Sequence, residues 1–226
     1  MESHHSARGF SLVELLVVIG VIALLIGLVM PAVSAARRQR RSVACLSQMR
    51  QIGLATTMYA TENNGTLPRS MHSALGFKVV PWGYALMPCL AAGPVTTSGP
   101  AWDHLWQTIY RCPADDRPST HWSYGKNVYP ELTAIESGGP TWWKITQIRR
   151  PAATVLFAEM AGGGMGDHLM AHFWVAYPDI TPEVDVRRHG QTANYLYADG
   201  HAAAGYFHET FDLTRNINNW NPDTAH

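Results

Sequence analysis

Charge is scarce in this 226-residue chain: Asp, Glu, Lys and Arg make up 15 % of it, and their formal sum is zero. Without a net field there is no electrostatic case for nucleic acid as a partner. Cysteine is scarcer still, with three residues, Cys45, Cys89 and Cys112. Neither CxxC nor a Cys/His pair at zinc-finger spacing occurs, which argues against structural zinc. Three thiols allow at most one internal pair, chosen from three, and leave one over. No GxSxG, P-loop or dinucleotide-binding fingerprint is present, and Gly162-Gly163-Gly164 lacks the lysine and the strand-to-helix setting that phosphate requires. No catalytic residue is therefore expected, and the chain does not read as an enzyme.

What the chain does have is an apolar run at its amino-terminal end. From Phe10 to Met30 every residue is apolar or small except Glu14. Such a run matches the roughly 20 residues that a helix needs to cross a bilayer. It is too long for an ordinary signal-peptide core, and no small-x-small cleavage site follows it. A lone carboxylate near the start of a membrane helix costs up to about 2.5–3.5 kcal/mol on insertion scales, so a plain anchor leaves Glu14 unexplained.

Gly9-Phe10-Ser11-Leu12-Val13-Glu14 resembles the processing site of type IV prepilins and type II secretion pseudopilins. In that family a prepilin peptidase cuts after the glycine and methylates the new amino terminus. The resemblance implies a cut between Gly9 and Phe10, with Glu14 in the family's glutamate position and Pro31 at a frequent proline position. It also implies an inner-membrane protein with one span, its head on the periplasmic or extracellular side. Its partners would be prepilin peptidase and other pilin-like subunits, in a homo- or hetero-oligomeric filament. Glu14 then reads as an assembly device, since the α-amino group freed by cleavage carries positive charge near neutral pH and can pair with a neighbour's carboxylate. Arg37-Arg38-Gln39-Arg40-Arg41 would ordinarily mark a cytoplasmic flank; the processing motif implies the opposite orientation and is given precedence.

Past the run, Val43, Leu46, Met49, Gly53 and Thr56/Thr57 recur at helical steps, with Ile52 and Tyr59 on an adjoining stripe, until Asn63-Asn64-Gly65 stops the helix. One long helix from Phe10 to about Thr61 is expected, kinked at Pro31. The organisation is then a leader (1–9), a transmembrane or filament-core helix (10–30), an amphipathic half (31–66) and a globular head (67–226). The expected fold class is α+β, a pilin-like long helix packed on an antiparallel sheet. Short helices are expected over Tyr84–Leu90 and around Trp102–Ile109, and strands over Thr154–Ala158 and within His168–Tyr177. Asn194–Ala198, Asp199-Gly200 and His201–Phe207 read as a hairpin on a two-residue type I′ turn, pairing Ala198 with His201 and Tyr197 with Ala202.

Cys45–Ala55, Gly65-Thr66-Leu67-Pro68, Cys112-Pro113-Ala114-Asp115 and Ser123–Asn127 narrow the resemblance. They are similar to a large group of pseudopilin-like proteins of planctomycete- and verrucomicrobia-type bacteria, marked by a carboxyl-terminal His-x9-Asp-Gly signature. His189 and Asp199-Gly200 supply that signature in full. The resemblance implies that any disulfide joins Cys45 to Cys112. Two readings of the signature stay open. In one, Asp199-Gly200 is a turn and His189 a clasp to the hairpin; in the other, Glu159, His189 and Asp199 hold calcium or another divalent metal. His168 and His172 have the spacing of a helical metal pair without its glutamate, and read as ordinary histidines. The rival to a filament subunit is a membrane-tethered periplasmic domain, binding sugar or metal or hydrolysing a substrate, that reuses the processing signal. An open groove lined by exposed tryptophan would favour it.

Overall fold

The computed structural model describes residues 11–91, 97–162, 166–177 and 183–226. Two compact units divide the chain, Met1–Arg40 and Arg41–His226, and helix α1 (Leu12–Glu62) contributes to both. In the first unit the large apolar side chains of α1, from Leu12 to Met30 and at Val33, are exposed. Among the described residues α1 is the one helix long and apolar enough to cross a membrane. It runs on through Pro31, whose carbonyl accepts a hydrogen bond from Ser34 Oγ at 2.8 Å.

In the second unit α1 turns Ser42, Cys45, Met49, Ile52, Gly53, Thr56 and Ala60 inward. Val43, expected on the buried stripe, is exposed. The buried line runs instead through Ser42 and Cys45, because a disulfide at Cys45 and a close backbone approach at Gly53 set the rotation of the helix. The helix stops where the Asn-Asn-Gly stretch implied: Asn64 and Gly65 take positive φ (55° and 81°), and the Gly65 N–H donates to the Ala60 carbonyl at 2.7 Å.

Short helices α2 (Met71–Ala74), α3 (Trp82–Ala85), α4 (Met87–Ala91) and α5 (Pro100–Thr108) follow. The single helix expected over Tyr84–Leu90 is split in two, since Pro88 lacks an N–H and its ring opposes continuation from α3. The main sheet has five strands: β1 (Tyr124–Asn127), β2 (Val155–Glu159), β3 (His168–Leu169), β4 (Ala193–Tyr197) and β5 (Ala202–Gly205), in the order β3-β1-β2-β4-β5. It is not wholly antiparallel, because β3 runs parallel to β1. The chain leaves β2 and crosses to the far edge of β1, where only two residues pair before a 3-10 turn at Ala171–Phe173. The remainder of the strand expected within His168–Tyr177 is therefore absent. Helix α6 (Ala134–Ser137) follows β1 in sequence, and β6 (Phe211–Asp212) pairs with β7 (Ile217–Asn218) apart from the main sheet.

The sheet separates two aromatic clusters. On the α1 face Trp82 gathers Tyr110, Trp122 and Phe157 at ring distances of 5.2, 4.8 and 5.0 Å. On the other face Tyr195 meets Trp220, and Trp220 meets Trp174 at 4.7 Å. Lys126, fully buried in β1, is neutralised by Glu131 at 2.6 Å, and Glu131 also accepts from Ser70 and Ser73. Burial alone would raise the pKa of Glu131, but the Lys126 charge and these hydrogen bonds hold it below the usual value.

Candidate functional site

The amino-terminal motif enters the structure at Ser11. Its Oγ accepts from the Val13 N–H at 3.3 Å, and Glu14 Oε2 accepts from the Ser11 N–H at 2.9 Å. Because Ser11 Oγ takes the Val13 N–H and not that of Glu14, this is a variant of the Ser-x-x-Glu capping box, and it satisfies donors that the first helical turn leaves open. The Ser11-to-Glu14 spacing carries that signal in the sequence, beside the assembly role that the family resemblance implies for Glu14. Gly9-Phe10, the expected cleavage junction, lies outside the described residues, and Pro31 lies inside α1.

A second constellation lies buried in the unit that begins at Arg41. Cys45 of α1 is bonded to Cys112, with Cα atoms 5.1 Å apart. His189 reaches the same point: its Nε2 lies 3.9 Å from Cys112 Sγ and 2.8 Å from Glu159 Oε1 at the end of β2. The other Glu159 oxygen accepts from the Asn194 N–H at 2.8 Å, and Asn194 Nδ2 donates to the Ser42 carbonyl of α1 at 3.3 Å. One nitrogen of His189 thus faces both sulfur and carboxylate, so the three do not form a nucleophile–base–orienter relay, which needs both ring nitrogens. Cys89 remains a free thiol; burial, then the Glu62 charge, pushes its pKa up.

Asp115 locks this constellation from behind. It accepts from Arg117 Nε at 2.8 Å and Ser123 Oγ at 2.7 Å, and Arg188 Nη1 stands 3.6 Å away. Arg188 also donates to the Ser123 and Met160 carbonyls and to Asp185. Burial would raise the Asp115 pKa; the hydrogen bonds from Arg117 and Ser123, with the Arg188 charge, outweigh it and hold the carboxyl well below the usual range. Cys45, Cys112 and His189, far apart in sequence, are neighbours in space, and Asp115 and Ser123 from the segment after Cys112 bond each other.

Asp199 does not join them. Its Oδ1 meets Nδ1 of His201 at 2.6 Å, both side chains partly exposed, so the set Glu159, His189, Asp199 is not formed. The reason is geometric: β4 lies between His189 and Asp199, and a strand of that length places its ends about 15 Å apart. The hairpin turn also differs from expectation. Tyr197 N donates to the His201 carbonyl and Leu196 pairs with Ala202, leaving Ala198, Asp199 and Gly200 as the loop. Gly200 alone of these has positive φ, 90°. This is a type I turn completed by a left-handed glycine, not the two-residue type I′ turn, which needs positive φ at Asp199 too. His168 pairs with Asp167 at 3.1 Å, and burial, then the His72 charge, lowers the pKa of His172.

Residues 4–30 match the family of the prokaryotic N-terminal methylation motif. No curated protein and no solved structure matches the chain. The matched stretch covers the Gly9-Phe10 junction, Glu14 and the exposed apolar part of α1 to Met30. The chain therefore carries the prepilin-type methylation motif of a type IV pilin-like substrate of prepilin peptidase, at the start of a helix fit to cross a membrane.

Proposed function

We propose that this protein is a pseudopilin-like subunit, cut between Gly9 and Phe10, methylated on Phe10, and assembled from the inner membrane into a pilus or a type II secretion pseudopilus. The observation that carries this reading is the continuity of the methylation motif with a helix whose large apolar side chains from Leu12 to Met30 are exposed. Such a surface is stable in lipid or against copies of itself, and not in water. The unit from Arg41 onward then faces the periplasm or the exterior, and its role is assembly, not catalysis. The rival reading, a tethered sugar-binding or hydrolytic domain, needs exposed tryptophan in an open groove. Trp82, Trp122, Trp142, Trp174 and Trp220 are buried, whereas Trp102 and Trp106 are half-buried and line a shallow groove with Tyr84, the place among the described residues that favours it.

The experiment is mass spectrometry of the protein from cells with and without an active prepilin peptidase, followed by electron microscopy of surface or periplasmic filaments. A mature chain beginning with N-methyl-Phe10, present in filaments, is the expected result. An intact Met1 in peptidase-positive cells, or a cut beyond Met30, would end this reading.

A further inference from the structure

Four donor atoms converge where α1, the Cys112 loop, β2 and the segment before β4 meet. They are Sγ of Cys45, Sγ of Cys112, Nε2 of His189 and a carboxylate oxygen of Glu159, all within 4.8 Å of one another. Cys45, Cys112 and Glu159 are fully buried, and the His189 side chain is 3 % exposed. As a disulfide the two sulfurs have no thiolate to offer. We propose that the dithiol form of this protein binds one divalent cation of the zinc class at these four atoms, so that disulfide and cation are alternative occupants of one buried junction.

The donor set decides the chemistry. Two thiolates, one imidazole and one carboxylate make a four-coordinate shell suited to zinc and unsuited to calcium or magnesium, which take oxygen ligands at higher coordination number. Zinc–ligand bonds of about 2.0–2.3 Å place tetrahedral ligand atoms roughly 3.3–3.8 Å apart. The contact between Cys112 Sγ and His189 Nε2, at 3.9 Å, is already close to that spacing, and the one between His189 and Glu159, at 2.8 Å, needs to open slightly. The surrounding groups also suit a bound thiolate and carboxylate. The Ala114 N–H points at Cys112 Sγ at 3.4 Å, and the Asn194 N–H holds the second Glu159 oxygen. Such outer hydrogen bonds orient ligands and stabilise their charged forms.

The balance is simple. A newly made chain begins as the dithiol and needs no reductant. On binding, each thiol releases its proton to solvent, and His189 carries its proton on Nδ1, leaving the Nε2 lone pair for the metal. The metal keeps its oxidation state. From the disulfide, a water-soluble phosphine supplies the two electrons: phosphine, disulfide and water give phosphine oxide and two thiols.

The test uses the full chain in detergent without oxygen, with Co2+ as a spectroscopic stand-in for Zn2+. Before phosphine treatment, Co2+ should give no thiolate charge-transfer band. After reduction, one equivalent should give that band and the intense visible bands of tetrahedral Co2+, and Zn2+ should displace it. Near-ultraviolet circular dichroism of the tryptophan clusters reports whether the fold is kept. His189→Gln and Glu159→Gln should each weaken binding at least tenfold, while Cys89→Ser should change nothing. The proposal is overturned by a reduced, folded protein without the thiolate band, or by a reduced protein that unfolds and is not restored by Zn2+. Bands that survive both ligand substitutions, or that vanish in Cys89→Ser, overturn it equally.

Discussion

Gly53 of α1 and Gly200 of the β4–β5 turn meet backbone to backbone: a Cβ on Gly53 would stand 3.0 Å from the Gly200 carbonyl oxygen and 3.2 Å from its Cα. Leu196 Cδ1 would lie nearer, at 2.7 Å, but a side chain can turn away whereas the turn backbone is held by its own hydrogen bonds. The signature glycine thus serves two demands, positive φ and a seat for the helix.

Gly53→Ala should therefore destabilise the protein, although alanine is the better helix former by about 1 kcal/mol. Overpacking of this kind costs about 1–3 kcal/mol. Gly200→Val should cost a similar amount through its positive φ, with Gly200→Asn milder. Thermal melts of the three variants rank them, and a Gly53→Ala protein more stable than wild type would refute the contact argument.

Glu14 has two candidate duties, and one pair of substitutions separates them. Glu14→Gln keeps a hydrogen-bond acceptor for the Ser11 N–H but loses the charge; Glu14→Ala loses both. If charge pairing with a neighbour's amino terminus drives assembly, both variants should leave filaments empty while the melting temperature of the Arg41–His226 unit is unchanged. Normal filaments from Glu14→Gln would assign the residue to capping instead.

Asp115 should make the fold acid-sensitive. Its folded pKa is depressed, so its contribution is complete above the unfolded value of about 3.9 and is lost as pH falls towards the folded pKa. Asp115→Asn should flatten the stability profile below about pH 4. At neutral pH it should cost about 1.5–3 kcal/mol, because Arg117 loses its charged acceptor, while Arg188 keeps Asp185 and two backbone carbonyls. Denaturant melts across the acid range check both; an unchanged acid slope in the variant would rule out Asp115 as the source.

The unit from Arg41 should fold without the apolar helix. Cys45, Met49 and Ile52 are fully buried in its core, whereas the large apolar residues before Pro31 are exposed. A chain starting at Arg41 should be soluble and unfold cooperatively; one starting after Ile52 should not. Matching melts for the two would mean that the helix stripe adds little to the core.

The features readable in the sequence are those whose causes lie within a few residues. The apolar run and the Asn63-Asn64-Gly65 stop follow from local composition and backbone preference and stand where expected. Asp199-Gly200 does mark a hairpin turn, but the loop is three residues long and the pairing is shifted by one. The Ser11–Glu14 box was equally local and equally visible. What tertiary structure decided depends on strand order and helix rotation. Glu159 meets His189 because β2 lies beside β4, and the pair meets Cys112 because α1 is turned to bury Cys45 rather than Val43. Asp199 is excluded from that junction by the length of β4, and Lys126 is buried because Glu131 waits beside its strand. None of these relations has a spacing rule in the chain, since each is set by long-range packing that brings distant backbone segments together.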